Sequence, residues 1–313
     1  MSKILNLRKY DLIFTTSFFY THGVSGHLYE LIDYCYISRA SGINAAILLA
    51  DGVTKDIFET AIRNKYNFTQ QELDDILSNT IECHKPLIIQ AHNVCIVDGS
   101  WRILNCTIYA DHVFLFRCSE DDFTYFDNCK SIKHTHLMQD FKLYPERFEQ
   151  LGIEVIDYTK KLLWGKFHKP RPVKTNTGLL YLTTACRALT LDMVENIINK
   201  AICDKYLIVT NDVNLYSSIA SDKVFVEQAP VKDIFERFDT YIYTPTDLQK
   251  DCSPRFIVEC AVYGKDVVYE IDYVCDGIER RREDIANNLA GLELTTDDFF
   301  IEYFNAKSKD NSS

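Results

Sequence analysis

Hydrophobic and polar positions along the chain fall into two kinds of pattern, short apolar runs and longer amphipathic stretches. Residues 10–20 form an aromatic and β-branched run, which predicts a buried strand. Between 28 and 36 the apolar residues recur at helical spacing, and Gly23 and Gly26 lie between these two segments. Residues 45–50 form a second apolar run. The chain is therefore predicted to begin as strand, glycine-containing turn, helix and strand.

The same alternation continues toward residue 160. Helical spacing recurs over 54–63 and 69–78, and Thr69 followed by Glu72 has the pattern of a capping box. Because strands and helices alternate, the pattern favours an α/β fold with an open, largely parallel sheet and helices on both faces. Further strands are predicted at 86–97, 101–108 and 112–116.

Residues 159–175 interrupt this pattern with six Lys/Arg, no acidic residue and two prolines, which is typical of a linker. A second α/β series follows, with strands predicted at 178–184, 206–210, 223–227, 240–244 and 267–271 and helices at 190–202, 213–220 and 231–237. We therefore expect an N-terminal α/β domain at 1–160, a linker at 161–176, a C-terminal α/β domain at 177–285, C-terminal helices at 286–306 and a disordered tail at 307–313.

Composition narrows the class of protein. The chain has 313 residues, with 47% hydrophobic and 25% charged residues, as in soluble globular proteins. Apolar runs shorter than the roughly 18 residues of a membrane span, and the lack of a signal-peptide pattern, predict a cytoplasmic protein with no membrane partner. The net charge of −11 gives no general attraction to nucleic acid, so such a partner would need a local basic patch. Eleven cysteines without a C-x-x-C pair are expected to be reduced, buried thiols.

The stretch from Asp251 to Val268 carries the clearest candidate chemistry. Ser253 and Pro254 are a good N-cap and first helical residue, so we expect a helix to begin there. Asp251 then precedes the helix, and Glu259 lies about a turn and a half inside it. Because a helix N-terminus favours phosphate, this placement suggests a nucleotide-binding site. The helix would bury Phe256, Ile257, Cys260 and Ala261 and end at Gly264.

Asp251-x7-Glu259-Cys-Ala-Val-Tyr-Gly264 resembles the acid-x7-Glu motif of retaining GT-B glycosyltransferases, whose usual form is Glu-x7-Glu-Ala-x-x-x-Gly-x-Pro-Val. This sequence departs from that form at Asp251, Cys260 and Asp266. The motif covers under twenty residues, whereas the layout of two α/β domains covers nearly the whole chain. The resemblance implies two Rossmann-like domains facing across a cleft, a nucleotide-sugar donor, for which we expect a UDP-sugar, and no metal or tightly bound cofactor.

The resemblance also implies roles for residues of the second domain. Glu259 would accept hydrogen bonds from the ribose hydroxyls, and Asp251 would be a catalytic residue on the transferred sugar. Ser253 and Arg255 would lie near the phosphates. Arg187 follows the strand at 178–184, where such enzymes place a basic residue on the diphosphate, and a fixed guanidinium stabilises the leaving charge. The alternatives are an ordinary loop aspartate, a surface helix glutamate and a surface arginine.

In the first domain, the turn after the first strand is the expected acceptor side. His22 and Gly23 are candidate catalytic residues, and Gly26 and His27 are candidate acceptor-binding residues. The turn forms neither G-x-S-x-G nor G-x-G-x-x-G, which disfavours a hydrolase elbow and a dinucleotide site. Either histidine is alternatively a residue that caps or packs. His134-Thr-His136 is interpreted as an exposed loop rather than a metal site.

The acceptor is expected to contact the basic linker. Lys166 and Arg171 are candidate acceptor-binding residues because this strip, with Trp164 and Phe167 interleaved, has the composition of a phosphate- and base-binding surface. The alternative is a solvated hinge. The sequence also resembles tailed-phage proteins, whose GT-B members glycosylate hydroxymethylated cytosine in DNA, so DNA is one expected acceptor and the host cytoplasm the expected location. A glycan or a small molecule is the other.

Two further functions remain open from the sequence. One is a nucleotide-sugar epimerase of the same fold, which would turn over free nucleotide sugar without an acceptor. The other is a degenerate GT-B domain that binds a nucleotide without catalysis, suggested by the departures from the motif.

Overall fold

The computed structural model describes residues 3–16, 26–49, 53–83, 87–97, 107–117, 131–139, 154–157, 163–168, 174–183, 189–228, 234–244, 255–270, 300 and 302–304. They form an α/β fold with two sheets, and every described pair of neighbouring strands is parallel. The described residues up to Phe167, together with Phe300 and 302–304, belong to one compact unit, and those from His168 to Glu270 belong to a second.

The first unit is built on an eight-stranded sheet. Its strands are β1 (Lys3–Asn6), β2 (Leu12–Thr16), β3 (Ala45–Leu48), β4 (Thr80–Ile81), β5 (Leu87–Val97), β6 (Thr107–Arg117), β7 (Ser131–Gln139) and β8 (Glu154–Asp157), and its described helices are α1 (Gly26–Ala40), α2 (Lys55–Lys65) and α3 (Gln70–Ser78).

The strand order of this sheet is β4-β3-β2-β5-β6-β7-β8, and β1 also pairs with β5. The chain runs outward from β2 to β4, crosses to the other side of β2 with β5, and continues to β8. The order of the strands therefore reverses between β2 and β5. The residues of β2 and β3 are buried because the sheet is covered there, and α1 itself is largely buried.

The second unit contains β9 (Thr177–Leu182), β10 (Lys205–Thr210), β11 (Val224–Glu227), β12 (Thr240–Tyr243) and β13 (Asp266–Tyr269), with helices α4 (Leu191–Asn199), α5 (Val213–Tyr216) and α6 (Arg255–Val262). The strand order is β11-β10-β9-β12-β13. This sheet has the same reversal, here between β9 and β12. Apolar side chains of β9 and β10 pack with α4 in the core of this unit.

Most predicted elements are confirmed where the structure describes them. Thr69 and Glu72 form a capping box at α3, and the second series of strands matches β9 to β13 within two residues at each end. Between 87 and 157, the described residues are all in strands. The predicted helix at 231–237 and the C-terminal helices at 286–306 lie partly outside the described residues, and the tail at 307–313 lies wholly outside them.

Two smaller predictions are also decided. His134 and His136 lie in β7, so the interpretation as a loop is wrong. Cysteines are confirmed as buried free thiols where they are described, at Cys35, Cys83, Cys95, Cys203 and Cys260.

Within the described part of the chain, no helix is long and apolar enough to cross a membrane.

Candidate functional site

The order of strands in the second sheet reverses between β9 and β12, near the predicted donor residues that the structure describes. In open α/β sheets, ligands bind beyond the carboxyl ends of the strands where the order reverses. The carboxyl ends of β9 and β12 lie at one edge because the strands are parallel. The segment after β9 contains Arg187, and the segment after β12 contains Asp251 and Ser253. These three residues lie outside the described residues, whereas Arg255 and Glu259 are described.

Helix α6 follows β12 and brings Arg255 and Glu259 together. Nε of Arg255 donates a hydrogen bond of 2.7 Å to Oε1 of Glu259, as the spacing of four residues on a helix allows. Both side chains are buried, with 6% and 4% of their surfaces exposed. The resemblance implies that Glu259 contacts the ribose and Arg255 the phosphates of the donor. In the structure the two side chains form one ion pair. Removing either partner would take away a charge that stabilises the other inside the protein.

The predicted core face of α6 fixes the position of this pair. Phe256, Ile257, Cys260 and Ala261 are buried, as the sequence indicates. The ring of Phe256 stacks on Tyr181 of β9, with centroids 4.9 Å apart and planes at 7°. The helix is thereby packed against β9, the strand beside the reversal.

The end of α6 is also as predicted. Gly264 has a φ of +64°, and its N–H donates to the carbonyl oxygen of Ala261 at 3.1 Å. The N–H of Lys265 donates to the carbonyl oxygen of Cys260 at 2.8 Å. This is the Schellman pattern of a helix end, and it sets Glu259 one turn before the end of α6.

A row of polar contacts follows the same edge toward β11. Nδ2 of Asn211 donates to the carbonyl oxygen of Thr183 at 2.7 Å, and Nε2 of Gln228 donates to the carbonyl oxygen of Asn211 at 3.0 Å. These contacts link the carboxyl ends of β9, β10 and β11. Sequence reasoning missed Asn211, although a polar residue directly after a buried strand was the available signal.

In the first unit the corresponding reversal lies between β2 and β5, and α1 begins after β2. Gly26 is the first residue of α1. Nδ1 of His27 lies 3.2 Å from Oε2 of Glu30, and the side chains are 22% and 1% exposed. His22 and Gly23 lie outside the described residues. Glu30 was missed, although a glutamate three residues after a helical histidine is on the same face.

Lys166, a candidate acceptor-binding residue, forms an ion pair within the first unit. Its Nζ donates to Oε1 of Glu72 at 2.6 Å, and the hydroxyl of Tyr36 donates to the same oxygen at 2.6 Å. The backbone N–H of Leu163 donates to Oδ1 of Asp33 at 3.3 Å. Part of the predicted linker is thus packed on the first unit. The other basic acceptor candidate, Arg171, is outside the described residues.

Among the described side chains, no group of three or more His, Cys, Asp or Glu is placed to hold a metal ion.

In comparisons with known proteins, no family model matches the chain, and neither a curated protein nor a solved structure matches it.

Proposed function

We propose that the protein transfers a sugar from a nucleotide-sugar donor, expected to be a UDP-sugar, to an acceptor hydroxyl. The proposal includes a GT-B arrangement, in which two Rossmann-like domains face across a cleft. The observation that carries it is the reversal between β9 and β12, because Arg187 follows β9 in the sequence and Asp251 and Ser253 follow β12. The Arg255–Glu259 pair follows directly on α6.

The chemistry of that edge suits a nucleotide sugar. Arg255 holds Glu259 in one orientation, so its carboxylate presents fixed acceptor lone pairs to the two ribose hydroxyls. Arg187 would stabilise the diphosphate as the bond to the sugar breaks. Asp251 would accept hydrogen bonds from hydroxyls of the transferred sugar. The donor would thus be held through its ribose, its diphosphate and its sugar.

Replacing Glu259 tests the donor site. Glu259→Gln keeps the size of the side chain and an oxygen that accepts from Arg255, so the fold should survive better than with Glu259→Ala. We expect its affinity for the donor to fall at least about tenfold, since hydrogen bonds to a charged group contribute roughly 1.5–3 kcal/mol. Calorimetric titration with a panel of nucleotide sugars measures this loss. Glu195→Gln, at an exposed acid on α4, is the control and should bind as the unaltered protein does. A folded Glu259→Gln protein with unchanged affinity for every nucleotide sugar contradicts the proposal.

For the acceptor we propose a hydroxyl of 5-hydroxymethylcytosine in DNA, with a glycan or a small molecule as the alternative. Incubation with labelled nucleotide sugars and each acceptor class distinguishes them. Lys166→Glu is a poor test of DNA binding because it would place a second carboxylate beside Glu72. Arg171→Glu tests the basic strip instead, and it should weaken DNA binding and reduce its dependence on salt.

A second candidate is a nucleotide-binding protein without catalysis. The observation that favours it is the burial of both Arg255 and Glu259, whose charges satisfy each other. Donor binding without transfer or hydrolysis would support this candidate. Turnover of the free nucleotide sugar without an acceptor would instead indicate an epimerase.

A further inference from the structure

Strand β7 carries two histidines that the fold places on one face of the first sheet. His134 and His136 are separated by one residue in β7, and residues two apart in a strand lie on the same face. The sequence shows this pair alone, whereas the register of the sheet shows which residues lie beside it. The described side chains do not include those of β7, so the placement is one of backbone register.

A third histidine lies beside this pair on the neighbouring strand. His112 of β6 is the direct register partner of His134, and the pairing is regular from there to the end of β7. Directly paired residues of adjacent strands share a face, so the three histidines are placed on one face. Strands lie about 4.8 Å apart and residues two apart in a strand are separated by about 6.6 Å, so the three backbone positions fall within about 5–8 Å of one another.

Hydrogen-bond acceptors are placed on the strands at either side of the histidines. Glu154 of β8 is the register partner of His136, and Asn93 of β5 is the register partner of His112. Asn93 is 6% exposed, and its Nδ2 donates to the carbonyl oxygen of Asp11 at 2.7 Å. Its Oδ1 is buried and accepts no hydrogen bond from any described residue. A buried amide oxygen without a donor is unfavourable and therefore requires an explanation.

The described rings on this face make its surroundings apolar. Phe114 is the register partner of His136 and is completely buried. The imidazole of His112 lies 6.4 Å from the ring of Phe114 and 6.0 Å from that of Tyr303, measured between centroids. A polar ring in such surroundings is stabilised when its nitrogens are bonded, and an imidazole satisfies both when one binds a metal ion and the other donates to an acceptor.

We propose that His112, His134 and His136 bind one Zn²⁺ ion through their imidazole nitrogens. Imidazole is a preferred ligand of Zn²⁺, with Zn–N distances of about 2.0–2.1 Å. Glu154 and Asn93 accept hydrogen bonds from ring nitrogens that do not bind the ion. Three protein ligands leave the fourth position of a tetrahedral ion to water or to an oxygen of a small molecule. The site does not depend on the proposed sugar transfer.

Metal binding by the purified protein without an affinity tag tests the site. The protein is stripped with a chelator and titrated with Zn²⁺ in a calorimeter, and we expect one ion to bind per chain. Co²⁺ substitutes for Zn²⁺ in such sites, and it should give the visible absorption of a tetrahedral ion without the charge-transfer bands of thiolate ligands. Thiolate bands would show that cysteines bind the metal instead.

Four variants locate the ion. His134→Asn and His136→Asn should each weaken Zn²⁺ binding by more than about 100-fold, because each removes a ligand and not only a residue that orients one. Glu154→Ala should weaken it about 10- to 100-fold, as the loss of a hydrogen-bond partner of a ligand does. His92→Asn is the matched control and should bind Zn²⁺ as the unaltered protein does. His92 is 46% exposed on β5, next to Asn93 in the sequence and therefore on the other face of the sheet.

Melting temperatures distinguish the loss of a ligand from the loss of the fold. Zn²⁺ should raise the melting temperature of the unaltered protein and of His92→Asn, and it should leave those of His134→Asn and His136→Asn unchanged. If a variant does not fold, the cobalt spectrum of the unaltered protein decides. The inference is overturned by absent Zn²⁺ binding, by thiolate bands, by unchanged affinity in folded His134→Asn and His136→Asn, or by an equal loss in His92→Asn. Donor affinity is measured separately and bears only on the proposed function.

Discussion

Glu72 shows how a single side chain joins distant parts of the first unit. Its carboxylate caps α3 by accepting from the N–H of Thr69 at 2.9 Å, and it also accepts from Tyr36 and Lys166. Burial opposes its ionisation, but the hydrogen bonds from Lys166, Tyr36 and Thr69 outweigh burial and lower the pKa of the carboxyl to about 2. The negative charge is therefore part of the folded state.

We predict that Glu72→Gln lowers the free energy of unfolding at pH 7 by about 1–2 kcal/mol, a value reduced for the partial exposure of the pair. Because the pKa is depressed on folding, this stabilisation is present above the unfolded pKa and is lost as the pH falls from about 4.5 toward 2. The difference between the two proteins should shrink over that range. Urea unfolding followed by tryptophan fluorescence measures it at each pH.

Glu59→Gln is the control for this prediction. Glu59 pairs with Arg63 on an exposed face of α2, where such a pair contributes about 0.3–0.5 kcal/mol. An equal loss in both variants would mean that Glu72 acts only as a surface charge.

Some residues of the candidate site can be predicted from their spacing in the sequence, and others cannot. Arg255 and Glu259 are four apart and His27 and Glu30 are three apart, so a helix places each pair on one face. Lys166 and Glu72 are 94 positions apart in the sequence, so no local sequence pattern indicates that they pair. The sequence could therefore indicate Lys166 as basic but not that a carboxylate already holds it.

At the scale of the element, the way in which α6 ends after Val262 depends on the backbone conformation of Gly264. Gly264 adopts the left-handed backbone conformation that side chains disfavour, and a Cβ there would meet no atom within 4 Å. The requirement for glycine is thus conformational and not steric.

Gly264→Ala should lower stability by about 1 kcal/mol, because only the backbone conformation opposes the added methyl group. Gly165→Ala is the matched control, since a Cβ there also meets no atom within 4 Å and its φ is not in the left-handed region. We expect that variant to be neutral or slightly more stable. Scanning calorimetry on both proteins makes the comparison. Equal melting temperatures would remove the conformational explanation.

Gly178 in β9 is required for a steric and not a conformational reason. An added Cβ would lie 3.0 Å from Cδ1 of Ile242 and 3.1 Å from Sγ of Cys203, both in the core. We predict that Gly178→Ala destabilises the second unit by about 1–3 kcal/mol through overpacking. Ile242→Val removes Cδ1, so the double variant should lose less stability than the sum of the two single variants. Strict additivity in a calorimetric double-mutant cycle would contradict this.

The strands and helix caps could be predicted because local sequence patterns determine them. The order of the strands within each sheet could not. The apolar run of β2 predicts a strand wherever it pairs, whereas its place between β3 and β5 depends on partners far along the chain. β7 was missed because Lys133, His134 and His136 interrupt the apolar alternation on which strand prediction depends. The reversal of strand order between β9 and β12 was therefore visible only in the fold.

At the scale of the whole molecule, the chain contributes its last described residues to the unit in which it begins. Phe300 is 1% exposed, and its ring packs edge-on against Phe14 and Phe114, with centroids 5.5 and 5.4 Å away. The first unit therefore requires residues from both ends of the sequence, on either side of the second unit.

Phe300→Ala should destabilise the first unit by about 3–5 kcal/mol, because it removes a buried ring that packs on side chains of β2 and β6. Trp164 belongs to this unit, so its fluorescence during urea unfolding, measured with Trp101 replaced by Phe in every variant, reports on the unit. Donor affinity, which the second unit would supply, should not change. Phe225→Ala, at a ring 44% exposed on β11, is the control and should leave the fluorescence transition in place. A Phe300→Ala protein that keeps its fluorescence midpoint but loses donor affinity would show that the end of the chain serves the second unit instead.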